Sequence, residues 1–294
     1  MTNNEKPDIW LHVHVPKAGG STLRHLMSRN FRNAYYNSTS LLEIKQYECD
    51  DIRAIITNHR WLKCFSDHKL SLDLPFDHRD STVYALTFVR DPVDRFISRY
   101  FFYRHFQQVE CLAQTASLRE FAEAELIRGE THPSTNSQVY FLNGFRSHTD
   151  MTVIEDAIAT QRGFVFPVER FDDACVCLER LHPEAFSDLS YVTVNVSKKD
   201  KEILAEDREF VRPFLENDYP LIEIANQHLD DTIDRAFENQ REFEKALKEF
   251  QHRCNCRVHN FKPGDAKRAF VKRLFGRKWD PKVTIQQTGK DKTN

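Results

Sequence analysis

The chain has 294 residues, 40% hydrophobic and 29% charged, with a formal net charge of −2. That is the composition of a soluble globular protein, long enough for one large α/β domain or two small ones. The small net charge offers no field for nucleic acid, and no apolar run approaches the ~18 residues that cross a bilayer.

The start, M-T-N-N-E-K-P-D, is polar and holds no signal core. Seven cysteines, an odd number, suit free thiols in a reducing compartment rather than a disulfide framework. The expected location is cytoplasmic. N-S-T at Asn37 and N-V-S at Asn195 then read as chance matches to the glycan-acceptor pattern.

Ile9–Val15 is rich in branched residues and bounded by Pro16, as a buried strand would be. Ser21–Asn30 follows as a helix with Leu23, Leu26 and Met27 on one face. Ile52–Thr57 and Val83–Val89 are further strand candidates. Pro92 suits the first turn of a helix carrying Val93, Phe96, Ile97 and Tyr100. Helices are expected over Leu118–Arg128, Thr152–Arg162 and Asp173–Leu181, and strands at 164–166 and Tyr191–Val194. Asp218–Phe250 reads as a long charged helix or a pair. Alternating strands and helices give an α/β fold, a parallel sheet flanked by helices, with a helical C-terminal extension. The expected organisation is a domain over 1–250, a basic helical extension over 251–279 and a disordered tail over 280–294.

Residues 15–22 read V-P-K-A-G-G-S-T in a chain with only eight glycines. A strand, a glycine turn and a helix N-terminus form an anion site, because the first helical N–H groups lack partners and the helix dipole favours negative charge. Gly19 and Gly20 would let the backbone approach a phosphate, Ser21 and Thr22 would cap the helix or bind the anion, and Lys17 adds charge. An ordinary strand-to-helix turn has the same local features. The lysine precedes the glycines, so the G-x-x-x-x-G-K-[ST] pattern of an ATP or GTP loop fails, which counts against a kinase. Residues 87–100, T-F-V-R-D-P-V-D-R-F-I-S-R-Y, put Arg90 at a strand end and Ser98 two turns into the next helix. A guanidinium fork and a hydroxyl can hold a second phosphate; a local Arg90–Asp91 ion pair is the plainer alternative.

Together these stretches resemble the PAPS-dependent sulfotransferases, and within them the carbohydrate branch of heparan sulfate 2-O- and chondroitin 4-O-sulfotransferases. His14–Thr22 matches that family's H-[IV]-P-K-[TA]-G-G-[ST]-[ST] loop, and Arg90 and Ser98 keep the spacing of its second signature. T-N-S-Q-V-Y-F-L-N-G at 135–144, F-V-F-P-V-E-R-F-D-D at 164–173 and V-N-V-S at 194–197 echo later family segments in the same order.

The resemblance implies PAPS as sulfate donor, PAP as product, no required metal, and a hydroxyl-bearing acceptor, with a glycan the favoured class. A lipid, a phenol or a small metabolite is the alternative acceptor, and a non-catalytic nucleotide-binding module the alternative of another class. It further implies that the amides of Ala18, Gly19, Gly20, Ser21 and Thr22 hold the 5′-phosphate, that Arg90 and Ser98 hold the 3′-phosphate, and that Lys17 meets the bridging oxygen. An acceptor hydroxyl needs a base. The family carries its histidine after a strand between the two motifs, and His59, past the expected strand Ile52–Thr57, is the best match; His12, His14, His68, His78 and His105 are rivals.

Glu169 and Asp172 could serve the acceptor side or lie on the surface, and Lys198 and Lys199 could reach an anion or be solvated. His252, Cys254, Cys256 and His259 have poor spacing for a metal. Cys175 and Cys177 fit helix packing. Ala266–Lys278 is basic and amphipathic; a docked helix is preferred to contact with a glycan or membrane.

Overall fold

A computed structural model describes residues 6–37, 46–105, 112–127, 137–192 and 202–260. Among these residues five strands form one parallel sheet: β1 (Asp8–Val13), β2 (Tyr35–Asn37), β3 (Cys64–Asp67), β4 (Thr82–Val89) and β5 (Gly163–Pro167), in the order β2-β3-β1-β4-β5. β1 is central and pairs with β3 through Trp10↔Cys64 to Val13↔Asp67, and with β4 through Asp8↔Thr82 to His12↔Leu86.

Period-two alternation divides the core. Ile9, Leu11 and Val13 face one cluster, which α2 (Cys49–Asn58) joins through Ile52, Ile55 and Ile56, and α6 (Thr152–Ala159) through Ile154 and Ala157. Trp10 enters the other, with Leu23, Leu26 and Met27 of α1 (Gly20–Phe31) and the apolar faces of α7 (Phe171–Leu181), α9 (Tyr219–Ala236) and α10 (Gln240–Asn260). Trp10 stacks on Tyr84 at 4.6 Å and meets Phe186 edge-on. A third cluster joins α3 (Pro92–Arg104), α4 (Leu118–Ala122) and α8 (Ala205–Val211). There α4 runs on into a π-helical stretch, Glu123–Ile127, whose Glu125 makes a buried ion pair with Arg99 at 2.7 Å. The short α5 (Gln138–Leu142) completes the set.

The structure corrects the expectation for Ile52–Thr57, which is helical. Ile52, Ile55 and Ile56 lie at helical spacing on one buried face, and Glu48 and Asp51 form a reciprocal capping box at the start of α2. Strands β2 and β3 are additional, and Tyr191 and Val192 lie in no strand. The charged segment after Asp218 resolves into the pair α9 and α10, and α10 passes residue 250 without a break. Its far half docks by ion pairs: Asp188 receives Arg257 and, at 3.4 Å, Arg253, while Arg29 in the last turn of α1 donates to the Asp188 carbonyl at 2.5 Å. The basic segment Ala266–Lys278, the tail from Asp280 and residues 193–201 lie outside the described residues.

Gly163 opens β5 against α6, where an added Cβ would lie 2.6 Å from the Ala157 carbonyl carbon and oxygen. Because the neighbour is backbone, Gly163→Ala is expected to destabilise the fold by about 1–3 kcal/mol, read as a lower denaturation midpoint with unchanged m; an unchanged midpoint would refute this packing.

Candidate active site

All five strands point the same way, so their carboxyl ends share one edge. β1 lies between β3 and β4, although the chain leaves β1 for β2. At such a switch in strand order, the loops after adjacent strands part and leave a crevice. The residues immediately after β1, β3 and β4 are His14 onward, His68 and Arg90.

The loop after β1 carries two left-handed residues, Lys17 (φ 68°) and Gly19 (φ 78°). Glycine takes that conformation without cost; lysine does not, and such strain gathers at functional sites. Gly19 is also the N-cap of α1, and among the described residues no side chain caps this helix end. The glycines do different work. A Cβ on Gly19 would sit 2.7 Å from Val168 Cγ2, whereas one on Gly20 would sit 1.9 Å from His14 Nε2. Gly20 therefore makes room for an imidazole, a reason the loop pattern alone does not disclose. Ser21 is exposed and Thr22 buried.

Lys17 Nζ lies 4.2 Å from the Phe102 ring centroid. Burial, with the nearby Arg90 charge, pushes its pKa down to about 8. Arg90 Nη1 donates to the Lys17 carbonyl at 3.4 Å, so the two cations of the two motifs are neighbours. Asp91 caps α3 by accepting from the Asp94 N–H, with Pro92 in the first turn. Ser98 and Phe102 are four residues apart on α3 and so share a face; the Lys17–Phe102 contact turns that face toward the loop.

His59 is not brought to this edge. It is the C-cap of α2, its Nδ1 3.0 Å from the Ile55 carbonyl, and it precedes β3, which puts it at the amino ends of the strands, opposite Lys17. The strand that supported its assignment is a helix. The residue in the place expected of His59 is His68, directly after β3. Its Nδ1 lies 2.9 Å from the His14 carbonyl, and its ring stacks on His14 at 3.8 Å. A carbonyl only accepts, so Nδ1 carries the proton and Nε2 keeps its lone pair. His68 is exposed to solvent, and desolvation by the groups packed around it lowers its pKa. His14 stacks in turn on His12 at 5.0 Å, and His12 Nδ1 lies 2.8 Å from Ser66 Oγ. Burial first, then neighbouring positive charge, lowers the pKa of both.

The other candidates disperse. Glu169 accepts from the Asp91 N–H at 3.1 Å, and Asp172 from the Tyr191 hydroxyl at 2.8 Å. His78 Nε2 lies 3.5 Å from Thr57 Oγ1 and its Nδ1 accepts from the Asp80 N–H, and His105 follows α3. Cys175 and Cys177 are buried on α7. Cys256 Sγ lies 3.6 Å from His252 Nε2, and among the described residues no group of three or more metal-ligating side chains occurs. Lys198 and Lys199 lie outside the described residues.

The family model described as the sulfotransferase family matches residues 5–161, more than half of the chain. This chain therefore belongs to the sulfotransferase family and is a sulfotransferase enzyme. The sulfotransferase from Alicyclobacillus acidocaldarius, a crystal structure, is similar at 19% identity with a TM-score of 0.41, over 74% of this chain and 96% of that one. No curated protein matches. Among the described residues no helix is long and apolar enough to cross a membrane.

The stacked histidines make the site sensitive to acid. The folded state holds His12 and His14 well below the usual 6.5, so the unfolded chain takes up protons first. Their stabilisation is complete above about pH 6.5 and is lost as pH falls, at up to about 3 kcal/mol per pH unit for the two groups. The urea midpoint should fall steeply between about pH 6.5 and 5; a flat midpoint would refute their buried, neutral state.

Proposed function

We propose that this chain transfers a sulfuryl group from PAPS to an acceptor hydroxyl with His68, rather than His59, as general base. The observation that carries it is the His68–His14 hydrogen bond at 2.9 Å, on the same sheet edge as Lys17 and Arg90. The amides of Ala18 to Ser21 surround the 5′-phosphate at the start of α1, where helix-end N–H groups and the helix dipole favour an anion; the Thr22 N–H already donates to the Gly19 carbonyl at 3.0 Å, so Thr22 contributes by its hydroxyl. Arg90 and Ser98 take the 3′-phosphate.

His68 Nε2 removes the acceptor proton as the acceptor oxygen bonds to sulfur and the bond from sulfur to the bridging oxygen breaks. Charge develops on that oxygen, and Lys17 is the proposed group that meets it. The transferred SO₃ bears less charge than a phosphoryl group, so this chemistry asks for no metal, by analogy with the loose in-line phosphoryl case. A sugar hydroxyl is the proposed acceptor, on the motif resemblance to the carbohydrate branch.

Labelled PAPS offered to a panel of glycans, phenols and lipids tests both acceptor and base. A glycan is expected to become labelled. His68→Ala should lose about 10²–10⁴-fold in turnover and keep its affinity for PAP without Mg²⁺, while His59→Ala should retain turnover within a few-fold. Full activity in His68→Ala would overturn the assignment; PAP binding with no acceptor ever labelled would mark a non-catalytic module.

The pH profile of kcat/KM should be bell-shaped. Activity rises with pH as His68 loses its proton, below the usual imidazole value, and falls as Lys17 loses its own near 8. Lys17→Arg should remove the alkaline limb from whatever activity remains; an unmoved limb would exclude Lys17 as its source.

A further inference from the structure

We infer that Gln138 and Glu169 are positioning residues that continue the sheet past the end of β4 and fix Arg90 for the 3′-phosphate. The inference rests on the proposed role of Arg90 and extends it to the groups that hold it.

β4 pairs with β1 as far as His12↔Leu86 and with β5 as far as Val89↔Pro167. The last partner is a proline, which has no N–H to give. Arg90 thus leaves the ladder with both main-chain groups in need of partners. Gln138 supplies both: the Arg90 N–H donates to Gln138 Oε1 at 2.9 Å, and Gln138 Nε2 donates to the Arg90 carbonyl at 2.8 Å. A primary amide offers the same donor and acceptor as a peptide unit, so this side chain stands in for a strand residue.

The clamp is itself held. Gln138 is fully buried, and the Asp218 carboxylate, also buried, accepts from the Gln138 N–H at 2.8 Å, the Val139 N–H at 3.1 Å and Ser137 Oγ at 3.1 Å. Gln138 Nε2 lies 3.4 Å from the same carboxylate. Only an amide meets these demands: a carboxylate at 138 could not donate to Arg90 and would face Asp218. On the other side Glu169 Oε1 accepts from the next N–H, that of Asp91, at 3.1 Å. Its charge opposes a nearby phosphate, so Glu169 helps Arg90 only where holding the Asp91 N–H outweighs that repulsion. Three consecutive main-chain groups are thus tied by side chains from two separate elements. A guanidinium binds phosphate well only where its Cα is fixed, since displacement by about 1 Å can cost up to two orders of magnitude.

The test compares PAP with 5′-AMP, which lacks the 3′-phosphate, by calorimetry on wild type, Gln138→Met, Glu169→Ala and Arg90→Ala, with melting curves for each. Positioning predicts PAP affinity lower by about tenfold in Gln138→Met and about threefold in Glu169→Ala, with 5′-AMP affinity unchanged within about twofold. Equal losses for both nucleotides, or no loss for either, would overturn the inference if Arg90→Ala still abolishes the preference for PAP. A preference that survives Arg90→Ala would instead overturn the proposed role of Arg90. If buried Gln138→Met fails to fold, the exposed Glu169→Ala decides, read against Glu169→Gln, which keeps an acceptor oxygen for the Asp91 N–H and removes the charge; PAP affinity no lower in Glu169→Ala than in Glu169→Gln would overturn the inference.

Discussion

The parallel pairing of β1 with both β3 and β4 is the constraint on which the site depends. Because the three strands point the same way, their carboxyl ends deliver a lysine loop, a histidine and an arginine to one edge without any long connection. The pairing outlasts the strands: the His14 N–H still donates to the Asp67 carbonyl at 3.2 Å, and the His14 carbonyl faces His68 Nδ1. The main chain of one residue is thereby stitched to the end of β3 on both its polar groups. The spacing between the glycine loop and His68 follows from sheet geometry rather than from loop flexibility.

The parts of this site legible in the sequence are the local ones. β1, the glycine loop, β4 and the Pro92 helix each announce themselves within about ten residues, through branched runs and turn chemistry. The histidine did not. β3 is four residues, C-F-S-D, whose burial on both faces comes from neighbours far away in sequence; without it His68 has no strand to follow. The three isoleucines of α2 imitate a strand, and only their spacing and the Glu48–Asp51 box reveal the helix. With the strand expected at Ile52–Thr57 and β3 unseen, the sequence points to His59, which lies at the opposite end of the sheet from Lys17, and not to His68. The Gln138–Asp218 contact spans 80 residues, and the pattern of either segment gives no sign of the other.

The electrostatic design is a contrast between neighbours. Lys17 and Arg90 bring positive charge to one side of the crevice, while the imidazoles beside them are kept neutral by burial. Neutral rings can stack closely under the lysine loop where charged ones would repel it. Gly20 makes this arrangement possible, because any side chain there would take the space of the His14 ring.

Asp188 joins regions that the chain order keeps apart. The helix that opens at the glycine loop ends with Arg29 on this residue, and Arg253 and Arg257, near the end of the last helix, reach its carboxylate. A pull on the distal helix is therefore felt at the foot of α1, whose head carries the glycine loop. α10 and α1 thus share one anchor, and loosening either at Asp188 removes a support from the other.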